Sequence, residues 1–542
     1  MRTAATVVVV GCGAAGVTAA LGLARRGIKT LVIEGAAYPG AENWSGAVYF
    51  CETLARPEIL GPELLKQCAF ERRVVKRGLL VSDGVVAVGG AVRSPAAFEH
   101  AYTVLRPVFD RDLAEKARML GAEILSNTTA IGLIRDGDRV RGVMTSRGPV
   151  WADLVFLAEG DASHIVSREG LERVAPSKSG VVQPEFLQGV KEVLALPAAE
   201  IEKRFGVAAG EGACYEILLR NGTFDGKTVP LNAGAFLYTN RDSISLGFVA
   251  PLANLSQFGG DHNTLMEWLK GLAPLRGLLE GATPISFGAK LIRGGGHREM
   301  PTLCLDGLVV GGAAAGLGVD FPCPNYTGPA THCGWLVSEA VHSILQDGGT
   351  FDRATLEARY VEPLKQSVGY RDSVHLSDWP HAISGAREFF GRQCDLVAGT
   401  ASILADPEAG VVGRHFQFAR HLVDTLPFGV MPSFGREMAR VGSALRADRG
   451  MLGAIGAHVP AWILNTLRPM VPVGSSTGAT FEPVFLTDPK APRLAAPFRF
   501  AISCGVTAMR WPTRSITSMP TTVATSARNS WPRDAASSRR SR

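Results

Sequence analysis

No two cysteines of the 542-residue chain stand at C-x-x-C spacing, although there are nine of them. Zinc sites and cysteine-ligated iron–sulfur clusters are commonly built on that spacing, so the sequence argues against both and implies no metal. An odd number of scattered cysteines suits reduced thiols in a cytosol. No charged n-region or cleavage site precedes the first apolar run, so no secretory signal is expected and the reading is cytoplasmic. The histidines are dispersed; the nearest to a ligand pair, His332-Cys333, is adjacent in sequence and is read as packing or pocket lining. Excess charge is also missing from most of the chain. The formal charge is +6, and residues 505–542 alone hold seven arginines against one aspartate, so the remainder is near neutral and no nucleic-acid partner is implied. There is no uninterrupted spanning run. Met451–Gly474 is apolar but broken by Pro460 and Pro469 and made polar by His458, Asn465 and Arg468. It is read either as a helix lying on a membrane surface or as one packed against the core or a partner. No nucleophile–base pair or paired-carboxylate site is found, so no side chain is assigned as catalytic.

What is present begins at Thr6. TVVVV is a continuous apolar run, as expected of a buried parallel strand. It ends on Gly11, which permits a tight turn. Gly13 lets a pyrophosphate approach the backbone, and Gly16 lets a helix pack closely on the sheet. Ala14 and Ala15 lie between them. The helix is expected from Ala14 to Arg26, stopped at Gly27, with its N-terminal amides favouring phosphate. A second strand, Lys29–Ile33, leads to Glu34 and Gly35. A carboxylate there can accept both hydroxyls of an adenosine ribose. No second glycine fingerprint exists for a nicotinamide, so the single N-terminal site favours a flavin dinucleotide, FAD.

Farther along, GAAYPGAENWSGAVYF (residues 35–50) is read as a loop that folds over the flavin end of the cofactor. Phe109–Met119 is expected to be helical, RDGDRVRG to be a hairpin turn, and ADLVFLAEGDAS to be a strand returning to the nucleotide domain with Gly160 near the fingerprint. ACYEILLR, AGAFLYTNRDSISLGFVA and PISFGAKLI read as antiparallel strands, flanked by helices at Pro197–Phe205 and Asn263–Leu272. Leu308–Val310 is a strand entering a glycine-rich loop, followed by a helix from Pro329 to Leu345 whose first amides could face a flavin carbonyl. The expected organisation is a nucleotide domain in two parts, 1–175 and 302–350, an antiparallel-sheet substrate or partner domain at 176–301, a helical region at 351–475, and an aberrant or disordered tail at 505–542.

GCGAAG with Glu34, YPGAENWSGAVY, VLRPVFDRDLAEKARMLGAEIL and LAEGDAS together resemble the flavoprotein family of electron-transfer-flavoprotein:quinone oxidoreductases, FixC-type proteins and geranylgeranyl reductases, with FixC-type proteins nearest. The likeness covers residues 5–345 and, more weakly, the helices to 430. It implies an α/β fold: a Rossmann-like FAD-binding domain of the glutathione-reductase/p-hydroxybenzoate-hydroxylase kind, with an inserted antiparallel sheet and a helical C-terminal region. It implies that Gly11, Gly13 and Gly16 cradle the pyrophosphate with Ala14 and Ala15, and that Glu34 and Gly35 meet the ribose. Ser45 and Gly46 would lie near the isoalloxazine, Arg106 would touch the cofactor, Ala130 would meet the adenine side, and Ala158 and Gly160 would flank the diphosphate. Gly311, Gly312, Gly316 and Gly318 would form the loop beneath the ribityl chain and ring. Many relatives carry an acid at the position of Gly312, so one ribityl anchor is missing. The implied activity is electron transfer from an electron-transfer flavoprotein to a quinone or a separate ferredoxin-like subunit, with peripheral contact on the inner face of the cell membrane left open. A flavoenzyme reducing isoprenoid double bonds and a non-catalytic flavoprotein subunit are the alternatives.

Overall fold

The computed structural model describes residues 3–43, 47–82, 87–96, 98–172, 186–224, 227–255, 262–294, 296–318, 325–375 and 480–486. The expected helical region beyond 375, the apolar segment Met451–Gly474, the tail, Ser45 and Gly46 therefore lie outside the described residues.

The valines that open the fingerprint form the middle of a parallel sheet. Strand Thr3–Val10 pairs in parallel with Gly148–Leu157 on one side and Thr30–Ile33 on the other. Leu308–Val310 extends the sheet beyond Gly148–Leu157, and Glu123–Leu125 extends it beyond Thr30–Ile33. Val7, Val8 and Val9 are wholly buried, which is why the run is apolar throughout rather than alternating. The registers Val10↔Ile33, Val10↔Leu157 and Leu157↔Val310 bring four strands to an end at one level. The next residue of each strand is Gly11, Glu34, Ala158 and Gly311, so four separate sequence signals converge on one sheet edge. The RDGDRVRG hairpin joins Ala130–Asp136 to Arg139–Thr145, and the latter pairs with the early part of Gly148–Leu157.

Two helices meet on this sheet. The fingerprint helix, Ala14–Arg25, is buried from Ala14 to Ala24. Helix Thr327–Gln346 lies against it, and both have small residues at the contact. A Cβ at Gly334 would stand 2.2 Å from the Ala15 carbonyl oxygen, and one at Gly22 would stand 2.4 Å from Ser338 Oγ. The helix expected from Phe109 begins earlier, at Arg106, because Pro107 is tolerated in a first turn. Residues 35–50 are not all loop: Ala47–Phe50 pairs antiparallel with Ala101–Val104, as its valine, tyrosine and phenylalanine favour.

A second sheet of ten strands runs in the order Thr283–Arg293, Phe186–Ala195, Ser243–Pro251, Lys227–Thr239, Glu211–Phe224, Arg72–Ser82, Ala87–Arg93 and Thr480–Leu486, with the pair 47–50 and 101–104 beside it. Five of its strands fall within 176–301 and the others come from 47–104 and 480–486. Its pairings are antiparallel except one: Arg72–Ser82 lies parallel to Glu211–Phe224. Behind the sheet, helices Ala198–Phe205, His262–Gly271 and Ala273–Leu279 pack Ile201, Phe205, Leu265, Met266 and Leu269 onto Val190, Leu194 and Leu246.

Arg72 locks the parallel junction. It is 3% exposed. Its guanidinium donates to Glu202 Oε1 at 2.9 Å, the Arg241 carbonyl at 2.7 Å and the Glu211 carbonyl at 3.1 Å. Arg72→Ala would remove the donor shared by these partly buried acceptors and leave a gap at the junction. The expected loss is about 3 kcal/mol of folding stability, read as a lower urea midpoint in chemical denaturation.

Candidate functional site

The loop Gly11–Gly16 is shaped by contact on one side and emptiness on the other. A Cβ at Gly16 would come within 1.9 Å of the Gly11 carbonyl oxygen, and one at Gly11 within 2.4 Å of the Ala158 carbonyl oxygen. Both positions exclude a side chain. At Gly13 the nearest atom to a Cβ is Asn43 Nδ2, 4.0 Å away, so the backbone there faces open space. Gly13 is the N-cap of helix Ala14–Arg25, and no side chain caps that helix. The first intrahelical bond is made by Val17 N to the Gly13 carbonyl at 2.9 Å, which leaves the amides of Ala14, Ala15 and Gly16 available to an anion.

Glu34 stands beside this loop. Its Oε2 accepts from Cys12 N and its Oε1 from Ala36 N, each at 2.9 Å. Burial pushes its pKa up, opposed by the two amides, which favour the carboxylate. A carboxylate has about four lone-pair sites, so roughly two remain for sugar hydroxyls. Thr128 N donates to the Glu34 carbonyl at 2.9 Å, and Thr129 Oγ1 is the nearest atom to a Cβ at Gly35, 3.9 Å away. Cys12 is wholly buried, and burial raises its thiol well above the ordinary value.

The turn after Val310 is held from behind. Gly312 N donates to Cys333 Sγ at 3.4 Å, and Tyr360 OH donates to the Val310 carbonyl at 2.7 Å. The tyrosine proton is thereby used, so the Cys333 thiol donates to the Tyr360 oxygen across 2.9 Å. Burial pushes that thiol up to about 11, which keeps it a donor. Gly312 has φ +66°, and a Cβ there would stand 2.9 Å from Ala15 Cβ. An acid at this position would have to displace the fingerprint helix, which accounts for the glycine. The short turns Gly160–Ala162 and Gly312–Ala315 contact each other, closing the ring of loops begun at Gly11. Gly316 lies against the Gly296 carbonyl, Gly318 against the Tyr326 ring. At the start of helix Thr327–Gln346, Asn325 Oδ1 accepts from Gly328 N at 2.9 Å, so that amide is already capped.

Arg106 is buried and forms a two-pronged pair with Asp110, Nε–Oδ1 at 2.6 Å and Nη2–Oδ2 at 2.7 Å. Burial works against its charge, and the Asp110 carboxylate overcomes it, so the guanidinium stays charged. Asn43 Nδ2 donates to Asp110 Oδ2 at 2.7 Å, and Asn43 Oδ1 accepts from Lys290 Nζ at 3.5 Å. The loop after Glu34 is thus tied both to Arg106 and to the second sheet. Nearby, the Tyr49 hydroxyl is fully buried without a partner among the described residues. Asp161 is half-buried close to Lys290, and desolvation raises its pKa.

Of the residues expected at the site, Gly11 to Gly16, Glu34, Gly35, Ala158, Gly160, Gly311 and Gly312 come together at one sheet edge, and Ala130 opens the hairpin strand Ala130–Asp136. Gly316 and Gly318 continue from it, and Arg106 faces it from its own helix. Asn43, Asp110, Asp161, Lys191 and Lys290 were not anticipated. The four-residue spacing of Arg106 and Asp110 was the one signal that could have found a pair. The others converge only through tertiary structure.

The open helix N-terminus, the free lone pairs of Glu34 and the glycine ring fit a dinucleotide, and residues 6–163 match the family described as FAD dependent oxidoreductase. The chain is an FAD-dependent oxidoreductase. It is 32% identical over 401 residues to Protein FixC of Rhizobium meliloti (strain 1021), covering 73% of this chain and 88% of that protein. It is 34% identical to Protein FixC of Bradyrhizobium diazoefficiens over 445 residues, 76% of this chain and 98% of that one. A probable electron transfer flavoprotein-quinone oxidoreductase of Escherichia coli (strain K12) is 30% identical over 388 residues, 70% of this chain and 86% of the relative. The chain therefore belongs to the FixC and electron transfer flavoprotein-quinone oxidoreductase family. Its fold is shared with a geranylgeranyl bacteriochlorophyll reductase-like protein of Thermoplasma acidophilum, at TM-score 0.56 and 16% identity, covering 81% of this chain and 100% of the other. Among the described residues no helix is long and apolar enough to cross a membrane.

Tyr360→Phe would leave the Val310 carbonyl and the Cys333 thiol without their partner. It is expected to lower stability by about 1–2 kcal/mol and to reduce the FAD content of purified protein, measured by thermal denaturation and by the flavin-to-protein absorbance ratio.

Proposed function

We propose that this oxidoreductase takes electrons from an electron-transfer flavoprotein and passes them to a quinone or to a ferredoxin-like acceptor. The observation that carries the reading is the single dinucleotide site, with no second fingerprint for a nicotinamide, in a chain whose relatives include probable electron transfer flavoprotein-quinone oxidoreductases. The donor would then be another protein rather than a pyridine nucleotide.

In this reading the amides of Ala14, Ala15 and Gly16 neutralise the diphosphate beside Gly11 and Gly13, and Glu34 with Gly35 accepts the ribose hydroxyls. Ala130 borders the adenine side, and Ala158 and Gly160 border the diphosphate. Gly311, Gly312, Gly316 and Gly318 would run beneath the ribityl chain and ring; Ser45 and Gly46, which lie outside the described residues, keep the place near the isoalloxazine that the resemblance implies. Arg106 meets the cofactor with its charge already partnered by Asp110, so it orients rather than titrates. When bound, FAD supplies the redox chemistry. The protein contributes orientation, hydrogen bonds and a dry cleft. Phe50, Phe98 and Phe236 pack, partly buried, against Val48, Val74 and Tyr238 on the second sheet.

The fold shared with a geranylgeranyl bacteriochlorophyll reductase-like protein is the reason for a second reading, reduction of an isoprenoid double bond. Incubating reduced holoprotein with a polyprenyl lipid separates the two: a gain of two hydrogens in mass supports the second reading, and an unchanged lipid supports electron transfer.

The direct test of the main reading is anaerobic rapid mixing of oxidised holoprotein with a reduced electron-transfer flavoprotein. Bleaching of the bound flavin, faster than with NADH or NADPH, is expected. Bleaching by a nicotinamide alone would overturn it. For the cofactor roles, Glu34→Ala is expected to weaken FAD binding by about 2 kcal/mol, roughly thirtyfold, measured by titrating FAD into cofactor-stripped protein.

A further inference from the structure

Among the described residues, the buried cations have partners with one exception. Arg72 is paired with Glu202, Arg106 with Asp110 and Lys116 with Asp112, and Lys76 donates to the Phe205 carbonyl. Lys191 is 5% exposed and has neither hydrogen-bond nor carboxylate partner among the described residues. An uncompensated buried charge is expensive, so a lysine kept in such a place points to an anion that arrives later.

Strand geometry shows which way Lys191 faces. Its neighbours Val190 and Leu194 enter the core behind the second sheet, and Glu192 pairs there with Lys270 of helix His262–Gly271. Alternation turns Lys191 to the opposite face, towards the nucleotide-binding sheet. Arg106 lies close enough there to add to the effect of burial in lowering the lysine's pKa, to about 7. The residues paired with Lys191 on both sides are glycines, Gly247 and Gly288; the Phe236 ring lies over Gly247, so the lysine has an apolar neighbour on its row and no polar one at the paired positions. On the next row along this face, Lys290 pairs across from Gly189 and reaches Asn43, whose amide nitrogen is the nearest atom to Gly13. Charged groups on or against this face are Lys191, Lys290, the Arg77–Glu216 pair, the Arg106–Asp110 pair and Asp161; the two ion pairs cancel, which leaves two lysines against one aspartate and positive charge in excess.

We propose that Lys191 is the cation that meets the negative charge left on the N1–C2=O edge of the FAD ring when the ring is reduced. Two electrons and one solvent proton, taken up at N5, leave one negative charge on that edge. The oxidised ring is neutral, which matches a lysine with no standing partner. The diphosphate already has the helix N-terminus and does not need this residue. The inference rests on FAD occupying the cleft and not on which donor reduces it.

The test compares wild-type holoprotein with Lys191→Met and Lys191→Arg. Sulfite is the probe, because it adds to N5 of the oxidised ring and leaves the same negative charge without any reductant. Lys191→Met is expected to weaken sulfite binding about tenfold, and to lower the two-electron midpoint potential by about 30 mV, the same factor at 29.6 mV per decade. Lys191→Arg should restore most of both. Cofactor-stripped Lys191→Met should melt no lower than wild type, whereas a purely structural lysine would lower the melting temperature and leave sulfite affinity unchanged. Lys191→Gln is the second neutral variant should the methionine variant fail to fold. Yellow neutral variants with unchanged sulfite affinity and potential overturn the proposal. Loss of FAD from both neutral variants overturns it too, since the lysine would then serve the cofactor's permanent charge. Wild-type protein that takes up no FAD would instead overturn the cofactor assignment.

Discussion

The fingerprint helix must be smooth on both sides, and much of the molecule follows from that. On the sheet side Gly16 sits almost on the Gly11 carbonyl. On the other side Gly334 sits on the Ala15 carbonyl, and Gly22 on Ser338. Close approach on both flanks buries the helix along nearly its whole length and fixes its N-terminus over the ends of four strands. A Cβ at any of these contacts would move the helix, and with it the amides that aim at the diphosphate. The glycine at 312 belongs to the same constraint, because its turn lies against Ala15. The position where the family resemblance implies an acid is here committed to packing.

The two sheets are joined by polar contacts as well as by chain. Arg293 donates to the Asp161 carbonyl at 3.3 Å and to Glu172 at 2.7 Å, and Lys290 reaches Asn43. These contacts come from strand Thr283–Arg293, the edge of the second sheet, and reach the loops that follow Leu157 and Glu34. The face of the second sheet that carries Lys191 and Lys290 is therefore tied to the nucleotide-binding loops by charged and polar side chains.

The nucleotide half was largely legible in the sequence because its signals are local. A continuous valine run, glycines at fixed spacing and an acid after the next strand each report their own geometry, and register then assembles them. The strand at Ala47–Phe50 was hidden inside a segment dominated by glycine and small polar residues. The full extent of the second sheet was hidden for a different reason: half its strands come from outside residues 176–301, and no local pattern says that Arg72–Ser82 will lie beside Glu211–Phe224. Lys191 was invisible for the same cause. In sequence it is one charge in VKEVLAL, next to a glutamate; only the sheet reveals that the two side chains point to opposite faces and that one of them is alone.

The lone parallel junction also bears on how the chain is made. Strand Arg72–Ser82 emerges from the ribosome well before Glu211–Phe224, its neighbour on that side, and the nucleotide sheet waits longer still for Leu308–Val310. A nascent chain of the first 172 residues would carry an open β-edge and an incomplete core at once. Such a chain invites chaperone capture or mispairing between copies during synthesis.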